Sequence, residues 1–421
     1  MYVVEYKEAK NMDGIELKGK YGTATIYAKT IEDKLFSQCI NMLNSDLTEN
    51  VNIAIMPDTH VGKGCMIGTT MEVRDKACPN LVGVDIGCGM LTVKLGQINI
   101  DFEKLDDIIT EHIPLGFNCH DKYTKKAEEF FDKYKDSIKA KGIAYELPMR
   151  SIGTLGGGNH FIEVDKDNEN NLYLIIHTGS RNFGKQIAEY WQNVAIEELC
   201  KKQFIDPKPI IAKLKEEGRE REIQKALEGV KMKNQQIKNT IGNKDLSYLT
   251  GDNLNDYLND LHIAQLYASL NRETIADIIL KNYFGMPLSD FVHFETIHNY
   301  INVDEMILRK GAISAKEGEI VLIPLNMRDG ALIAVGKGNK KWNNSAPHGA
   351  GRLMSRGQAK ESVNLEDFKE SMKGIYSSSI AESTIDESPF AYKDAEEIIE
   401  CVQDTVKIID HIKPIYNRKA S

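Results

Sequence analysis

Four histidines of this chain lie in short segments rich in glycine and other small residues. His160 lies in GGGNHF, His177 in IIHTGSR and His298 in TIHNYI, each next to an apolar run. His348 lies between a proline and a Gly-Ala-Gly run in SAPHGAGR. An imidazole can serve as nucleophile, metal ligand or proton carrier, and small neighbours let the backbone approach a ligand closely. The segment around His348 does not by itself decide among these roles.

A carboxylate and a thiol extend this set toward metal binding. Asp85 and Cys88 lie three residues apart in GVDIGCG, with glycine on both sides of Cys88. Alone, this pair is more typical of a turn with a small buried thiol. Together with His160, His177 and His298 it forms a ligand set suited to divalent transition metals such as manganese or zinc.

The other six histidines are weaker candidates. His60 is intermediate, because PDTHVGKG is itself a loop of the kind found at active sites. The remaining five lie in segments predicted to be helical or irregular, where a structural role is more common: His112, His120, His262, His293 and His411.

Backbone amides and arginines near the same segments indicate phosphate binding. GTLGGGNHF, HTGSRNFG and HGAGR offer N–H groups beside small residues, and Arg181 and Arg352 add guanidinium groups that suit phosphate oxygens. Arg356 is a further candidate, although a surface salt bridge explains it equally well. No segment matches the P-loop pattern. GTLGGGNHF precedes a predicted strand and not a helix, which disfavours a dinucleotide-binding fingerprint.

Short strands must position these residues, because catalytic groups collect in loops at strand ends on a rigid scaffold. Strands are predicted at GTATIYA, VNIAIMPD, MLTVKL, NHFIEVD, NLYLIIHTGSR, GEIVLIPLN and ALIAVGKG. Helices are predicted at KKAEEFFDKYKDSIKAKG and GKQIAEYWQNVAIEELCKK, and as one or two core helices in DNLNDYLNDLHIAQLYASLNRETIADIILKNYF. A last helix is predicted around DAEEIIECVQDTVKIIDHI.

We expect one large α/β domain of mixed α+β character over residues 1–421. Residues 201–245 differ from their surroundings, because they are highly charged and carry apolar residues at helical spacing. This pattern predicts a solvated helical hairpin inserted into the domain, in preference to an RNA-binding arm.

Composition excludes some classes of function. A formal net charge of −9 argues against a non-specific polyanion binder. No segment approaches the roughly 20 unbroken apolar residues that span a bilayer, and the first residues carry charges where a secretory signal needs an apolar core. We therefore expect a cytoplasmic protein that does not enter a membrane. Seven cysteines without close, repeated spacing indicate reduced thiols, of which any special one is metal-bound or catalytic.

Four segments together resemble the RtcB family of RNA-splicing ligases: GVDIGCGM, GGGNHFIEV, HTGSRNFG and HGAGRLMSR. The resemblance runs from about position 50 to the C-terminus in the family's order. It implies a single domain with mixed sheets around a dinuclear metal site. It also implies a GTP- and Mn²⁺-dependent ligase that joins RNA 3′-phosphate or 2′,3′-cyclic phosphate ends to 5′-hydroxyl ends. The route passes through a guanylated histidine and an RNA 3′-guanylate, in RNA repair or tRNA splicing.

The resemblance assigns roles to individual residues of this chain. His348 would take up GMP, and the thiolate of Cys88 would bridge two Mn²⁺ ions per subunit. The implied metal ligands are Asp85, Cys88, His160, His177 and His298. The implied GTP contacts are Asn159, His160, Phe161, Ile162, Glu163, His298, Asn299, Pro324, Leu325, Asn326, Met327, Ala331, His348, Gly349, Ala350, Gly351, Tyr392 and Lys419.

Two features depart from the family pattern. Better-known members carry Gly-Ser where this chain has Leu325 and Asn326, in a loop that would contact guanine or ribose. The chain also continues two residues beyond Lys419, where members end within about one. The resemblance is to the shorter bacterial-type subgroup, which favours general RNA repair over intron removal.

Two other functions remain open at this point. A metal-dependent phosphoesterase or nuclease would use the same ligands, since dinuclear sites commonly hydrolyse phosphate esters. An RNA chaperone or binding module without chemistry is disfavoured by the number of candidate ligands. The sequence does not tell whether a helper protein supports turnover.

Overall fold

The computed structural model describes residues 14–29, 31–62, 64–201, 204–240 and 242–419. Its strands are β1 (Ile15–Lys18), β2 (Thr23–Ile26), β3 (Ile53–His60), β4 (Ile67–Glu72), β5 (Gly89–Gly96), β6 (Phe161–Lys166), β7 (Leu172–Thr178), β8 (His293–Ile297), β9 (Asn299–Asn302), β10 (Ile307–Lys310), β11 (Ala312–Ser314), β12 (Ile320–Asn326), β13 (Gly330–Gly336), β14 (Ser345–Pro347) and β15 (Val406–Lys419). Its α-helices are α1 (Asp33–Leu43), α2 (Phe102–His112), α3 (Lys125–Tyr134), α4 (Glu146–Ser151), α5 (Arg181–Lys201), α6 (Pro207–Glu216), α7 (Ile223–Thr240), α8 (Gly251–Phe284), α9 (Arg356–Ser362), α10 (Leu365–Ser371) and α11 (Ala395–Cys401).

The described strands form two large sheets and one small one. The six-stranded sheet has the order β1-β2-β3-β4-β10-β9, and only its β2–β3 pair is parallel. The seven-stranded sheet has the order β12-β13-β15-β6-β7-β5-β8, and all its neighbours are antiparallel. Strands β11 and β14 pair separately. The protein is thus a single domain of mixed α/β architecture, as the sequence predicted.

Alternation along β6 gives the seven-stranded sheet two different faces. Ile162 and Val164 are fully buried and pack in one cluster with Ile275 and Ile279 of α8. Burying an aliphatic side chain of this kind contributes roughly 1.5–3 kcal/mol, so this face anchors the helix. Successive side chains of a strand point to opposite faces, and the other face of β6 is therefore left for the residues of the candidate site.

The segment in which one or two core helices were predicted forms a single long helix, α8. It runs for 34 residues and ends at Gly285, whose φ of +72° forms a left-handed C-terminal cap. Three of its fully buried residues are polar or charged: Asp260, Asn271 and Arg272. The side chain of Asn271 accepts hydrogen bonds from the backbone of Gly153 and Thr154 at 2.7 and 3.1 Å. The helix therefore holds loops in place as well as filling the core.

The predicted C-terminal helix is wrong over its second half. Helix α11 ends at Cys401, a 3-10 turn follows at Val402–Asp404, and the chain then forms β15, which pairs with β13 on one side and β6 on the other. The segment VKIIDHIKPIYNRK is rich in β-branched residues, and Pro414 would break a helix. The last described strand thus lies inside the sheet, between two partners that precede it in the chain.

Two charged helices, α6 and α7, occupy most of the segment 201–245 that was predicted to be an inserted hairpin. The turn between them is closed by Arg219, whose guanidinium lies 2.8 Å from carboxylates of Glu217 and Glu222. Residues 1–13, 30, 63, 202, 203, 241, 420 and 421 of the predicted domain and insertion lie outside the described residues. The division into one domain with an insertion stays a prediction. None of the described helices combines the length and apolar character that crossing a bilayer requires.

Candidate metal and nucleotide site

Four adjacent strands bring the predicted metal ligands to one edge of the seven-stranded sheet. Strand β5 begins after Cys88, β6 begins after His160, β7 contains His177 near its end, and β8 ends before His298. Since neighbouring strands are antiparallel, the start of one lies beside the end of the next. His177 is accordingly paired with Phe161, the first residue of β6.

The five predicted ligands form two groups that share one sulfur, and we call them the Cys88 cluster. Sγ of Cys88 lies 3.3 Å from Nε2 of His177 and 3.6 Å from Nε2 of His160. Nε2 of His177 lies 3.4 Å from Nε2 of His298, and Nε2 of His160 lies 3.0 Å from a carboxylate oxygen of Asp85. The ligand atoms of Cys88, His177 and His298 lie within 4.8 Å of one another, as do those of Asp85, Cys88 and His160.

These spacings suit two cations that share a thiolate. Metal–ligand bonds of about 2.0–2.3 Å in a tetrahedral site leave neighbouring ligand atoms roughly 3.3–3.8 Å apart, and the atoms around Sγ of Cys88 have this spacing. Burial, followed by the charge of Asp85, raises the pKa of the Cys88 thiol well above its usual value. Burial also lowers the pKa of His177 and His298 well below the usual value, so both favour the neutral form that binds metals.

Backbone carbonyls orient two of the imidazoles. Nδ1 of His160 lies 2.9 Å from the carbonyl oxygen of Leu155, and Nδ1 of His177 lies 3.1 Å from that of Asn159. Donation from Nδ1 to these carbonyls leaves the lone pair on Nε2, the nitrogen that lies beside Sγ of Cys88, where it could bind a metal ion. Nδ1 of His298 is buried without a hydrogen-bond partner among the described residues. The donor set of nitrogen, sulfur and oxygen therefore fits divalent transition metals.

Residues behind the Cys88 cluster fix its loops. Nη1 of Arg272 donates hydrogen bonds of 2.7 Å to the carbonyl oxygens of Gly87 and Thr178, one on each side of the cluster. The backbone between β7 and α5 must also come very close to Asp85. A Cβ at Gly179 would lie 2.1 Å from Oδ1 of Asp85, so this position requires glycine.

A buried carboxylate orients the fourth histidine. Nδ1 of His348 lies 2.6 Å from Oδ2 of Asp58, and the backbone N–H of His348 donates to the same oxygen at 3.2 Å. Asp58 is fully buried within β3. When Nδ1 donates to Asp58, Nε2 keeps a free lone pair, which is the form a nucleophile needs. The ring centroids of His348 and His298 are 4.9 Å apart, so the imidazole of His348 lies beside the Cys88 cluster.

Gly351, three residues after this histidine, also has a packing role. With a φ of +73° it packs on β3, because a Cβ there would lie 2.2 Å from the carbonyl oxygen of Asp58. Close approach of a ligand to the small residues stays a prediction. Asp58 was missed as a functional residue, although its place at the end of an apolar run, in MPDTH, was the available signal.

A cavity of about 250 Å³ opens beside His348. Most residues that the resemblance assigned to GTP line it: Asn159, Phe161, Glu163, His298, Pro324, Leu325, Asn326, Met327, His348, Gly349, Ala350, Gly351, Tyr392 and Lys419. Further lining residues that were not assigned to GTP are His60, Met90, His177, Gly330, Arg352, Arg356 and Asn417.

Four residues assigned to GTP do not line this cavity. Ile162 points to the opposite face of β6, into the core formed with α8. The side chain of Asn299 accepts a 3.0 Å hydrogen bond from the backbone N–H of Gly311. Ala331 is fully buried in the sheet. His160, which was assigned to both GTP and metal, lies in the Cys88 cluster and not in the cavity wall.

Strand β6 carries two buried carboxyl groups on one face, Glu163 and Asp165, and Glu163 reaches the cavity. Glu163 lines the cavity and accepts a hydrogen bond from the side-chain amide of Asn417. Burial raises the pKa of Glu163 to about 7. Burial, followed by the charge of Glu163, raises the pKa of Asp165 well above its usual value. Because the charge of Glu163 raises the pKa of Asp165, Glu163 is the group that ionises first, and its carboxylate can then accept from N–H groups of a ligand.

Another buried carboxylate, Glu387, forms ion pairs with the cationic residues of the cavity. It lies 2.8 Å from Nζ of Lys419 and 3.0 Å from Arg356, and it accepts a 2.6 Å hydrogen bond from Tyr392. Arg352 lies 3.4 Å away. Burial alone would raise the pKa of Glu387, but the charges of Lys419 and Arg356 lower it to about 2. Arg356 thus forms the salt bridges that were one of its two interpretations, and it also lines the cavity, while phosphate binding by this residue stays a prediction.

Arg181 lies outside the cavity wall, although it was expected to bind phosphate. Its Nη2 donates to the carbonyl oxygen of Gly116 at 3.0 Å, and its Nε donates to the hydroxyl of Thr154 at 3.2 Å. A Cβ at Gly156 would lie 1.8 Å from Nη1 of Arg181, so the glycine makes room for this guanidinium. Arg181 therefore joins the loop after α2 to the segment GTLGGGNHF.

The remaining histidines divide into one cavity residue and five others. His60 lines the cavity, and burial lowers its pKa to about 4. The other five do not line it. Two of them were wrongly predicted to be helical or irregular, since His293 lies in β8 and His411 in β15.

Comparison with known proteins shows the same family over most of the chain. A family model described as "tRNA-splicing ligase RtcB" matches residues 41–147 and 132–420. RNA-splicing ligase RtcB of Escherichia coli (strain K12) is 28% identical over 400 residues, which cover 86% of this chain and 89% of that protein. tRNA-splicing ligase RtcB of Aeropyrum pernix is 24% identical over 465 residues, which cover 90% of this chain and 89% of that protein.

A eukaryotic relative extends the match. RNA-splicing ligase RtcB homolog 1 of Entamoeba histolytica is 23% identical over 471 residues, covering 90% of this chain and 83% of that protein. The matched residues include the Cys88 cluster, Asp58 and His348. The family model spans well over half of the chain, and the resemblance inferred from four motifs is confirmed. The protein belongs to the RtcB family of tRNA-splicing ligases.

Proposed function

We propose that this protein is a GTP- and Mn²⁺-dependent RNA ligase that joins 3′-phosphate or 2′,3′-cyclic phosphate ends to 5′-hydroxyl ends. The carrying observation is that His348 is held by the buried Asp58 next to a cluster whose two ligand groups share Cys88. A phosphoesterase or nuclease needs the metal ligands but no oriented nucleophile facing a separate cavity. We further propose that the protein acts in cytoplasmic RNA repair or tRNA splicing.

The proposed reaction has three steps. Nε2 of His348 attacks the α-phosphorus of GTP, and a P–N bond forms as the bond to pyrophosphate breaks. An oxygen of the RNA 3′-phosphate then attacks the same phosphorus, which frees His348 and gives an RNA 3′-guanylate. Finally the 5′-hydroxyl of the second RNA attacks the RNA phosphorus, loses its proton and displaces GMP. A cyclic phosphate is hydrolysed to a 3′-phosphate before these steps.

The residues around the cavity support these steps electrostatically. The contact of Asp58 with Nδ1 of His348 selects the tautomer of the neutral ring whose lone pair is on Nε2, and the carboxylate stabilises the positive charge that the ring acquires as the P–N bond forms. Arg352 and Arg356 line the cavity and carry guanidinium groups that suit phosphate oxygens. The Cys88 cluster would hold two Mn²⁺ ions, which would neutralise charge on the phosphoryl oxygens.

Defined RNA ends and labelled GTP test the proposal. We expect GTP labelled at the α-phosphate to give acid-labile label on the protein when Mn²⁺ is present. We also expect 3′-phosphate and cyclic-phosphate donors to join a 5′-hydroxyl acceptor, and a 3′-hydroxyl donor to fail. Hydrolysis of phosphate esters without label or joining would favour the phosphoesterase. Undetectable bound metal together with intact RNA binding would favour an RNA chaperone or RNA-binding module that catalyses no reaction.

Asp58→Asn is expected to slow guanylation on the order of 100-fold while the fold is kept. The amide retains the size of the carboxylate, but it cannot stabilise a positively charged imidazole or enforce the same tautomer. Single-turnover transfer of labelled GMP measures the effect. The amount of bound Mn²⁺ is the control and should not change, because the described hydrogen bonds of the Asp58 side chain go to His348 and not to the Cys88 cluster. An unchanged rate would contradict the orienting role.

Guanine binding is expected to weaken below about pH 7, because an ionised Glu163 would accept hydrogen bonds from the guanine N–H groups. The raised pKa of Glu163, about 7, means that acidification protonates this acceptor. Affinity for guanosine should fall roughly tenfold per pH unit below that value and level off above it. Guanosine is the suitable probe, since it lacks the phosphates whose binding would depend on metal. Equal pH dependence in Glu163→Gln would show that another group is responsible.

A further inference from the structure

Phe117 is the most exposed large hydrophobic side chain of the described residues, and it stands at the rim of the candidate site. Its relative exposure is 105%, and the next value in this group is 76% for Val292. Single exposed apolar residues are ordinary on protein surfaces. The surroundings of Phe117, and not its exposure alone, therefore decide whether it has a function.

The backbone around this side chain is held firmly. The N–H of Gly116 donates to the carbonyl oxygen of Gly156 at 3.0 Å, and the N–H of Leu155 donates to that of Pro114 at 3.1 Å. Arg181 donates to the carbonyl oxygen of Gly116 on the other side. The ring is thus presented on a fixed loop, as a stacking surface requires.

An exposed path connects this loop with the cavity. A Cβ at Gly157 would lie 3.7 Å from the Cα of Gly116, and one at Gly158 would lie 3.8 Å from Nη2 of Arg356. Asn159, the next residue, lines the cavity with Arg356. Gly157 and Asn159 are two residues apart, which is at most about 7 Å of chain. An aromatic ring, a glycine-lined path and an arginine therefore follow one another toward His348.

We propose that Phe117 stacks on an unpaired nucleobase of the RNA near the reacting end, while Arg356 contacts the adjoining phosphate. This inference rests on the proposed ligase function. Single-stranded nucleic acids are bound by aromatic rings that stack on bases and by cationic groups that follow the backbone. The arginine on the same path favours a nucleic acid strand over an apolar protein segment. Phe117 is a positioning residue, since it touches neither the reacting phosphorus nor GTP.

A Phe117→Ala variant tests the inference separately from the ligase function. We expect the KM for RNA to rise about 5- to 150-fold, the range that loss of one stacked base gives. Guanylation by GTP should be unchanged, because that step precedes RNA binding. Phe117→Tyr should restore the KM, and Tyr21→Ala, at an exposed aromatic in the turn between β1 and β2, should leave it unchanged. If the unsubstituted protein neither guanylates nor joins RNA, the ligase proposal fails, whereas intact joining with an unaltered KM in Phe117→Ala overturns only the stacking role.

Removing a base from the RNA gives the reciprocal test. Single abasic sites are placed in turn at the first three nucleotides of the donor and of the acceptor. At the stacked position an abasic site should weaken RNA binding in the unsubstituted protein and have little effect in Phe117→Ala. The strand on which this coupling occurs identifies the bound end. Equal losses in both proteins at every position would overturn the proposal.

A fluorescence signal provides direct evidence of contact. The two natural tryptophans, Trp191 and Trp342, are buried, so the solvent-exposed emission of a Phe117→Trp variant comes from position 117. Stacking with a base should quench this emission as RNA is added. Unquenched emission at saturating RNA would contradict the stacking role.

Discussion

Replacing His348 with alanine is expected to abolish covalent attachment of GMP while leaving the bound metal in place. The imidazole is proposed as the nucleophile and not as a ligand of the Cys88 cluster. Its Nδ1 contact with Asp58 leaves only Nε2 to react. Loss of a nucleophile typically costs on the order of 10⁴-fold or more in rate, so no label from GTP should be detected on the protein.

The later steps distinguish this role from a structural one. A chemically prepared RNA 3′-guanylate should still be joined by His348→Ala, because that step follows the work of the histidine. Opening of a cyclic phosphate should also survive. His293→Ala, at an exposed histidine that does not line the cavity, is the matched control. A histidine that only supports the fold would lose metal, label and joining together, and label retained by His348→Ala would refute the nucleophile.

Cys88→Ala is expected to remove both bound metal ions at once. Sγ of Cys88 belongs to both ligand groups, so its removal takes one ligand from each site. Cys88→Ser should fail nearly as badly, because an alcohol is a poor anionic ligand at neutral pH. Elemental analysis of the purified protein measures the result. The unsubstituted protein should carry two equivalents and the variant less than one.

A second buried thiol serves as the control for this change. Cys39 is fully buried in the core, away from the Cys88 cluster, so Cys39→Ala should keep the full metal content. Two full equivalents of Mn²⁺ in Cys88→Ala would rule out the shared sulfur. A loss of one equivalent would assign Cys88 to one site only. Elemental analysis also identifies the metal, because these ligands would suit zinc as well as manganese.

The gathering of the metal ligands was predictable because strand ends are visible in the sequence. His160 and His177 each lie next to an apolar run, and antiparallel pairing then brings their strand ends together. The contact of Asp58 with His348 was not predictable, since the two residues are 290 positions apart and one lies on β3 while the other lies in the loop after β14. No local pattern specifies which strand of the six-stranded sheet meets the loop after β14.

Two errors have simpler causes. Ile162 was assigned to GTP because it lies inside the motif GGGNHFIEV, although the two-residue period of a strand turns it away from its neighbours Phe161 and Glu163. The segment after Cys401 was predicted to be helical because its apolar spacing fits a helix. Pairing with β13 and β6, which is a tertiary property, decided for a strand. The β-branched residues of VKIIDHI were the local signal for a strand.

The place of β15 within the seven-stranded sheet has a consequence for biosynthesis. This strand follows all the other described elements in the chain, yet it bridges β13 and β6 and carries Asn417 and Lys419 to the cavity. A ribosome-bound chain that has not yet emerged through β15 has a gap in the middle of its sheet and an incomplete cavity beside His348. Folding is therefore completed after translation of this strand, because the pairing of β15 is long-range. An unfinished polypeptide thus has no assembled pocket with which to act on the RNA that surrounds it during synthesis.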